Sequence, residues 1–300
     1  MEVGKFEFSV KTLNSFGLPD FKGSTFRGKF GHILKRTICI ISHRDCANCQ
    51  IHGQCAYPYL FETQQNNGQS VPRPFVIEPP LTRKRFFLRD EPLYFHLVLI
   101  GRAIEYLPYF VYCFIRMGEE GIGMDRGRYQ VLSIRAMDAE NQKTEIYDHT
   151  SQQLRNSFPR IQLDQFKTNL QPQVTLSFFT PTNIIVEGKR VERLEFSILL
   201  KSILRRYHSL RYFHGDGKKE RFEIDWDEAK KVEIMRQDLQ NQRFKRFSNR
   251  QKQPVPLNGF TGTITYRGNL TAFMPWLHIG ELLHVGKGTV FGMGGYRVVN

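Results

Sequence analysis

The sequence lacks long apolar runs and a secretory leader. No stretch of about 18 consecutive apolar residues occurs, so no segment could span a bilayer as a helix. The opening residues MEVGKFEFSV carry neither the basic region nor the apolar core of a signal peptide. We therefore expect a cytoplasmic protein that makes no use of a membrane.

Acidic residues are scarce relative to basic ones. Lys and Arg number 43 against 29 Asp and Glu, which gives a net charge of +14. A folded protein this basic usually meets a polyanion, and nucleic acid fits that description. The 300 residues suggest about two domains of ~150 residues each, and a hydrophobic content of 40% is enough to build their cores.

Several catalytic motifs are absent as well. The chain has no Gly-x-Ser-x-Gly nucleophile motif and no Walker A loop. Asp125, Glu119 and Glu120 flank a glycine turn, but their spacing does not indicate a two-metal site. Serine-hydrolase, P-loop and two-metal chemistry are therefore disfavoured.

The two halves of the chain repeat one order of elements. Periodicity predicts strands near 5–10, 93–100, 129–134, 174–179 and 259–267, helices near 24–40, 104–117, 194–212, 225–240 and 270–283, and an irregular loop over 63–80. Each half ends in strand, helix, glycine-rich turn and strand. This order predicts an α+β fold of two tandem ferredoxin-like, RRM-like β-α-β-β-α-β domains. Chance similarity of the two glycine turns is the alternative, and the matching order favours duplication.

The predicted boundaries follow from composition. Residues 1–140 form the N-terminal domain, with a cysteine-rich insertion at about 39–61. Residues 141–172 are polar and are predicted to be a linker. Residues 173–300 form the C-terminal domain, which carries a terminal glycine-rich loop at 284–295.

The C-terminal loop concentrates glycine around one lysine, Lys287. Such a loop can expose backbone N–H groups to a phosphate, and a tight structural turn is an equally good reading. The candidate glycines for contact with RNA are Gly286, Gly288, Gly292 and Gly294.

Motifs spread along the chain resemble one family. The loop HVGKGTVFGMG resembles the C-terminal signature of the RAMP superfamily, matching at Val285, Gly286, Gly292, Met293 and Gly294 and departing at His284. Further matching segments are Phe26-Arg27-Gly28-Lys29-Phe30-Gly31-His32-Ile33-Leu34, Cys55-Ala56-Tyr57, Pro72-Arg73-Pro74-Phe75 and Arg246-Phe247-Ser248-Asn249-Arg250-Gln251. Their order resembles a branch of the CRISPR repeat-processing endoribonucleases of that superfamily. The resemblance implies two ferredoxin-like domains, CRISPR repeat RNA as partner, and cleavage that yields mature guide RNA.

Metal-independent RNA cleavage uses the 2′-hydroxyl of the RNA as nucleophile and gives a 2′,3′-cyclic phosphate. It needs a base, an acid and a cation for the developing charge, and it requires no cofactor. His32 is the first candidate base, since Lys35 and Arg36 follow it at helical spacing. The resemblance also implies a catalytic histidine on or just after the first helix. His43 is the second candidate and His284 the third.

The cysteines lie in one window. Cys39, Cys46, Cys49 and Cys55 can supply a structural zinc site, because a C-x-x-C pair and two more thiols make a tetrahedral ligand set. An iron–sulfur cluster has similar needs, and binding no metal is the third alternative.

Basic residues interleaved with aromatics provide candidate RNA contacts. Cations meet phosphates while rings stack on unpaired bases. The candidates are Arg27, Arg36, Arg205, Arg206, Arg243, Lys245, Arg246, Arg250 and Lys287.

Two other functions compete. A non-catalytic RAMP subunit that coats guide RNA inside a CRISPR effector complex would share the fold and the charge. A zinc-containing RNA-binding module outside CRISPR biology would share the cysteines. The oligomeric state does not follow from the sequence.

Overall fold

The computed structural model describes residues 1–41, 46, 48–62, 65–66, 69–168, 170–218, 222–248 and 253–299. The side chains of 65–66, 69–70, 246–248 and 254 are outside this description. The chain divides into unit 1, which comprises Met1–Gln162 with Leu210–Gly217, and unit 2, which comprises Leu163–Ser209 with Lys218–Asn300. Among the described residues, no helix combines the length and the apolar character needed to cross a membrane.

Unit 1 is built on one antiparallel sheet. Its elements are β1 Glu2–Thr12, β2 Phe16–Gly17, α1 Gly23–Ile38, α2 Ala56–Leu60, β3 Gln65–Asn66, β4 Gln69–Ser70, β5 Phe75–Glu78, β6 Phe86–Phe87, β7 Pro92–Ile100, α3 Leu107–Glu120, β8 Tyr129–Met137, β9 Lys143–Asp148 and β10 Ile161–Gln162. The sheet runs β5-β7-β1-β8-β9, with β10 beside β1.

An aromatic core fills the space between this sheet and its helices. Phe8 and Phe95 on neighbouring strands stack at 4.7 Å between ring centroids, and Phe114 of α3 meets both rings. Phe30 of α1 stacks on Phe110 of α3 at 4.8 Å. These contacts hold α1 and α3 on one face of the sheet.

Unit 2 repeats the arrangement. Its elements are β11 Gln173–Thr182, β12 Ile185–Val186, β13 Lys189–Arg190, α4 Phe196–His214, α5 Trp226–Lys231, β14 Glu233–Gln242, β15 Lys245–Ser248, β16 Gln253–Pro256, β17 Gly259–Arg267, α6 Met274–Leu283 and β18 Tyr296–Val299. The last residues of α4, from Leu210 onwards, are counted with unit 1. The main sheet runs β14-β17-β11-β18. Its core includes Leu199, Leu200 and Ile203 of α4 and Leu277 of α6.

The two main sheets have the same strand order. In each unit the first strand lies between the third and the fourth, and the second strand borders the third. This is the order of a ferredoxin-like unit, and the α+β prediction of two tandem copies is confirmed.

Some predicted elements differ from the structure. The sequence predicts a linker over 141–172, yet β9 pairs with β8 and extends the first sheet, and β10 pairs with β1. The predicted loop over 63–80 contains β5, whose four residues are all buried. The predicted helix over 225–240 ends at Lys231, and β14 follows as a largely exposed edge strand. An exposed edge strand has no buried face to impose an alternating pattern.

Candidate active site and RNA-binding surface

Helix α1 presents His32 to solvent. Phe26, Phe30, Ile33 and Leu34 point into the core, at the spacing of one helical face. Position 32 falls outside that face, and its side chain is exposed. The first-ranked catalytic candidate is therefore accessible to a ligand.

Lys35 and Arg36 follow His32 on the same helix but have different surroundings. The Lys35 ammonium lies 3.8 Å from a Glu62 carboxylate oxygen and 5.3 Å from the centre of the Tyr57 ring. Arg36 is more exposed and pairs with Glu120 at the end of α3. Positions three and four residues apart on a helix are neighbours, so both cations lie beside His32.

Glu120 joins α1 to α3. Its carboxylate accepts a hydrogen bond from Lys29 at 2.9 Å and another from Arg36. Burial by itself raises the pKa of Glu120, but these hydrogen bonds outweigh it and lower the pKa below its ordinary value. The carboxylate is thus charged at neutral pH and holds α1 in position. Sequence analysis missed this role, because no local pattern links residues 29 and 120.

Arg27 has a packing role. Its guanidinium carbon lies 3.8 Å from the centre of the Phe61 ring, which follows α2. The same ring covers Gly31, where an added Cβ would lie only 1.8 Å from it. Arg27 and Gly31 therefore pack the residue that follows α2 against α1, and the RNA contact of Arg27 stays a prediction.

The second candidate histidine, His43, lies outside the described residues, as does Arg250. Nothing is described of the Arg246 side chain either.

The third candidate, His284, is an internal residue of unit 2. It is fully buried, and its Nδ1 lies 2.9 Å from the Met293 carbonyl oxygen. This contact spans the glycine-rich loop and joins its two ends. His284 therefore organises the loop and does not face solvent.

The loop glycines serve close backbone packing. Gly286, Gly288, Gly292 and Gly294 all have φ between +78° and +80°. An added Cβ at Gly294 would lie 1.9 Å from the Val285 carbonyl oxygen, and the Gly294 N–H donates to the Pro181 carbonyl at 3.0 Å. Gly292 and Gly294 are buried, whereas Lys287 is exposed at the tip. Within this loop, Lys287 is the side chain best placed to meet a phosphate.

Two adjacent arginines of α4 differ in environment. Arg205 is exposed. Arg206 donates from Nε to the Leu283 carbonyl at 2.6 Å, at the end of α6, and its Nη2 is buried without a hydrogen-bond partner among the described residues. Burial lowers the pKa of Arg206 to about 10. Arg206 therefore supports the start of the glycine loop, while Arg205, with exposed Arg243 and Lys245, is available to RNA.

The four clustered cysteines border one small cavity in unit 1, and all four are half-buried free thiols. Within the described ranges, no three His, Cys, Asp or Glu side chains are already arranged as a metal-ligand set.

Unit 1 thus presents an exposed histidine with two cations on α1, and unit 2, taken by itself, presents exposed cations. Comparison with known proteins gives these residues a context. A family model described as an N-terminal domain matches residues 1–159, more than half of the chain. A second model, described as CRISPR-associated endoribonuclease Cas6, matches residues 176–296. Residues 176–296 therefore form a Cas6-type domain. Its role is therefore of the CRISPR repeat-processing, RNA-binding type.

Relatives of this chain with its Cas6-type domain match it over nearly its whole length. An uncharacterized protein of Archaeoglobus fulgidus is 27% identical over 292 residues, which cover 94% of this chain and 93% of the relative. The solved Thermus thermophilus Cas6 matches with a TM-score of 0.56 at 14% identity, over 99% of this chain and 98% of that one. A chain of a partial Cas6-RT-Cas1–Cas2 complex matches with a TM-score of 0.61 at 12% identity, over 99% of this chain and 46% of that one. The structural matches show the fold.

Proposed function

We propose that this protein cuts CRISPR repeat RNA without a metal ion, by attack of the RNA 2′-hydroxyl on the adjacent phosphate. The observation that carries the proposal is the exposed position of His32 on α1, beside two cations, in a chain that has a Cas6-type domain. The 2′-oxygen bonds to phosphorus, the bond from phosphorus to the 5′-oxygen breaks, and the products are a 2′,3′-cyclic phosphate and a 5′-hydroxyl.

His32 takes the proton from the 2′-hydroxyl in this scheme. Imidazole suits that role because it is the side chain that most often accepts and donates protons in enzymes. The acid that returns a proton to the leaving 5′-oxygen is not assigned to a described residue.

Lys35 stabilises the charge that develops on the phosphorane. Its ammonium is held near Tyr57 and Glu62, so its position is set before RNA binds. Arg36 is tied to Glu120, and its role is to orient α1 and attract phosphate.

RNA approaches along exposed basic side chains. Arg205, Arg243, Lys245 and Lys287 are exposed, as side chains that contact phosphate have to be. Binding should therefore weaken steeply with salt, because each neutralised phosphate releases a counterion.

The reaction class is tested with labelled repeat RNA from the host array. Incubation with EDTA should leave single-site cutting unchanged, and a 2′-deoxy substitution at the cut site should abolish it. The 5′ fragment should end in a 2′,3′-cyclic phosphate. Cutting that stops with EDTA and returns with Mg²⁺ would contradict the metal-independent mechanism. Tight binding with no cutting would support a non-catalytic RNA-coating subunit instead.

A further inference from the structure

We propose that Cys39, Cys46, Cys49 and Cys55 bind a single zinc ion that fastens the insertion after α1. The four thiols come from a stretch in which the first and last cysteine are 16 positions apart, yet all four border the same cavity. The remaining lining is largely aliphatic and aromatic: Ile38, Ile40, Ile41, Ile51, Tyr57 and Pro58.

Two of the four positions are set by helix packing. Cys39 directly follows α1, and Cys55 directly precedes α2. Phe61 lies against Gly31, and the Lys35 ammonium lies 5.3 Å from the Tyr57 ring centre, so α2 is held on α1. The backbone at Cys39 and at Cys55 is therefore fixed before any metal binds.

The other two positions form a C-x-x-C pair. Cys46 and Cys49 are separated by two residues, a spacing that lets one turn supply two thiolates to the same ion. The turn continues into the next segment through a hydrogen bond from the His52 N–H to the Cys49 carbonyl at 3.0 Å. The thiols of Cys46 and Cys49 therefore border the same cavity as Cys39 and Cys55, whose backbone positions are fixed by α1 and α2.

The chemistry of the lining favours zinc. Thiolates are soft ligands that suit zinc, and apolar walls strengthen the interaction between the ion and its ligands.

Zinc binding has to bring the four thiols together around one ion. The described thiols line the cavity, but no three of them stand as a metal-ligand set. Zinc would displace the thiol protons and draw the C-x-x-C turn towards Cys39 and Cys55. Its effect would be structural: it would lock the segment that begins where α1 ends.

The test is the metal content of the purified full chain, measured by inductively coupled plasma mass spectrometry. The wild type should hold about one zinc per chain, as expected for a four-cysteine structural site. Cys49→Ser and Cys55→Ser should lose it. Cys113→Ser is the matched control, because Cys113 is a fully buried thiol of α3 outside the cluster, and it should keep its zinc.

A second measurement avoids reliance on variants that fail to fold. Cobalt added to the metal-stripped wild type should give the visible absorption of tetrahedral thiolate-bound Co²⁺, and zinc should abolish that absorption. Metal-free wild type that gives no such spectrum would overturn the proposal. Iron with labile sulfide, or full zinc in a Cys49→Ser and Cys55→Ser double variant, would overturn it too. Neither readout involves RNA, so the outcome is independent of the proposed nuclease activity.

Discussion

In unit 1 the Tyr129 hydroxyl donates to the Phe114 carbonyl at 2.9 Å, and in unit 2 the Tyr296 hydroxyl donates to the Leu277 carbonyl at 2.6 Å. Both tyrosines open the last ferredoxin-type strand of their unit, after a turn that contains positive-φ glycines, and both reach the second helix. The two units therefore share one arrangement of strands and helices, including one buried hydrogen bond.

The exposed residues of the two units differ. The first helix of unit 1 exposes His32, whereas the histidine beside the unit 2 turn, His284, is fully buried. The turn residue Met124 of unit 1 is 98% exposed, while Met293 of unit 2 is 2% exposed. We infer that the chemistry lies on α1 and that the C-terminal glycine loop mainly supports the fold and offers Lys287.

The largest expected effect tests the structural reading of the glycine loop. Gly294→Ala should lower the free energy of unfolding by about 3–4 kcal/mol, because a strained φ adds to a collision with the Val285 carbonyl. Gly188→Ala is the matched control: its φ is +79°, but its Cβ meets nothing within 4 Å. It should cost about 1 kcal/mol. Urea unfolding measures both, and equal losses would contradict the packing role.

The next effect separates two neighbouring cations of α4. Arg206→Ala should cost about 1–3 kcal/mol of stability, since the Leu283 carbonyl loses its donor. Arg205→Ala should leave stability unchanged and should lower the salt slope of RNA binding by about one unit. Thermal unfolding and binding at several salt concentrations distinguish the two. If Arg206→Ala lowered the salt slope of RNA binding and left stability unchanged, Arg206 would be the RNA contact.

The shared hydrogen bond can be tested in both units. Tyr129→Phe and Tyr296→Phe should each cost about 1 kcal/mol, because each removes one buried hydrogen bond without changing the ring. Tyr109→Phe, at a half-exposed ring, should cost nothing measurable. If urea unfolding showed a loss of stability for only one of the two tyrosine variants, the two hydrogen bonds would not be equivalent.

The smallest effect concerns Glu120. Its folded-state pKa is depressed, so its contribution to stability is present above the ordinary value near 4.5 and is lost as the pH falls through the folded pKa. Glu120→Gln should therefore reduce stability at pH 7 by about 0.5 kcal/mol, a modest amount because the ion pairs are partly exposed. It should change stability much less at pH 3. An equal loss at both pH values would contradict the electrostatic account.

The order of the main helices and strands was predictable from the sequence, whereas the strands at the edges of the sheets were not. Apolar positions 26, 30, 33 and 34 define a helical face and leave position 32 outside it, so the exposure of His32 follows from spacing. β14 was missed because polar residues cover an exposed edge strand, and β9 because its residues are similarly polar. The burial of Arg206 had a signal in the buried positions 203, 207 and 210 around it. The pairing of Glu120 with α1 had no signal in the sequence.

The central claim is that His32 acts in the chemical step. The direct measurement is single-turnover cleavage of repeat RNA by the wild type, by His32→Ala and by His149→Ala, an exposed histidine of unit 1 away from α1, with RNA affinity measured in parallel. The account predicts that His32→Ala slows cleavage about 10²–10⁴-fold at unchanged affinity, and that His149→Ala cuts normally. Wild-type cleavage by His32→Ala would contradict the assignment and direct attention to His43.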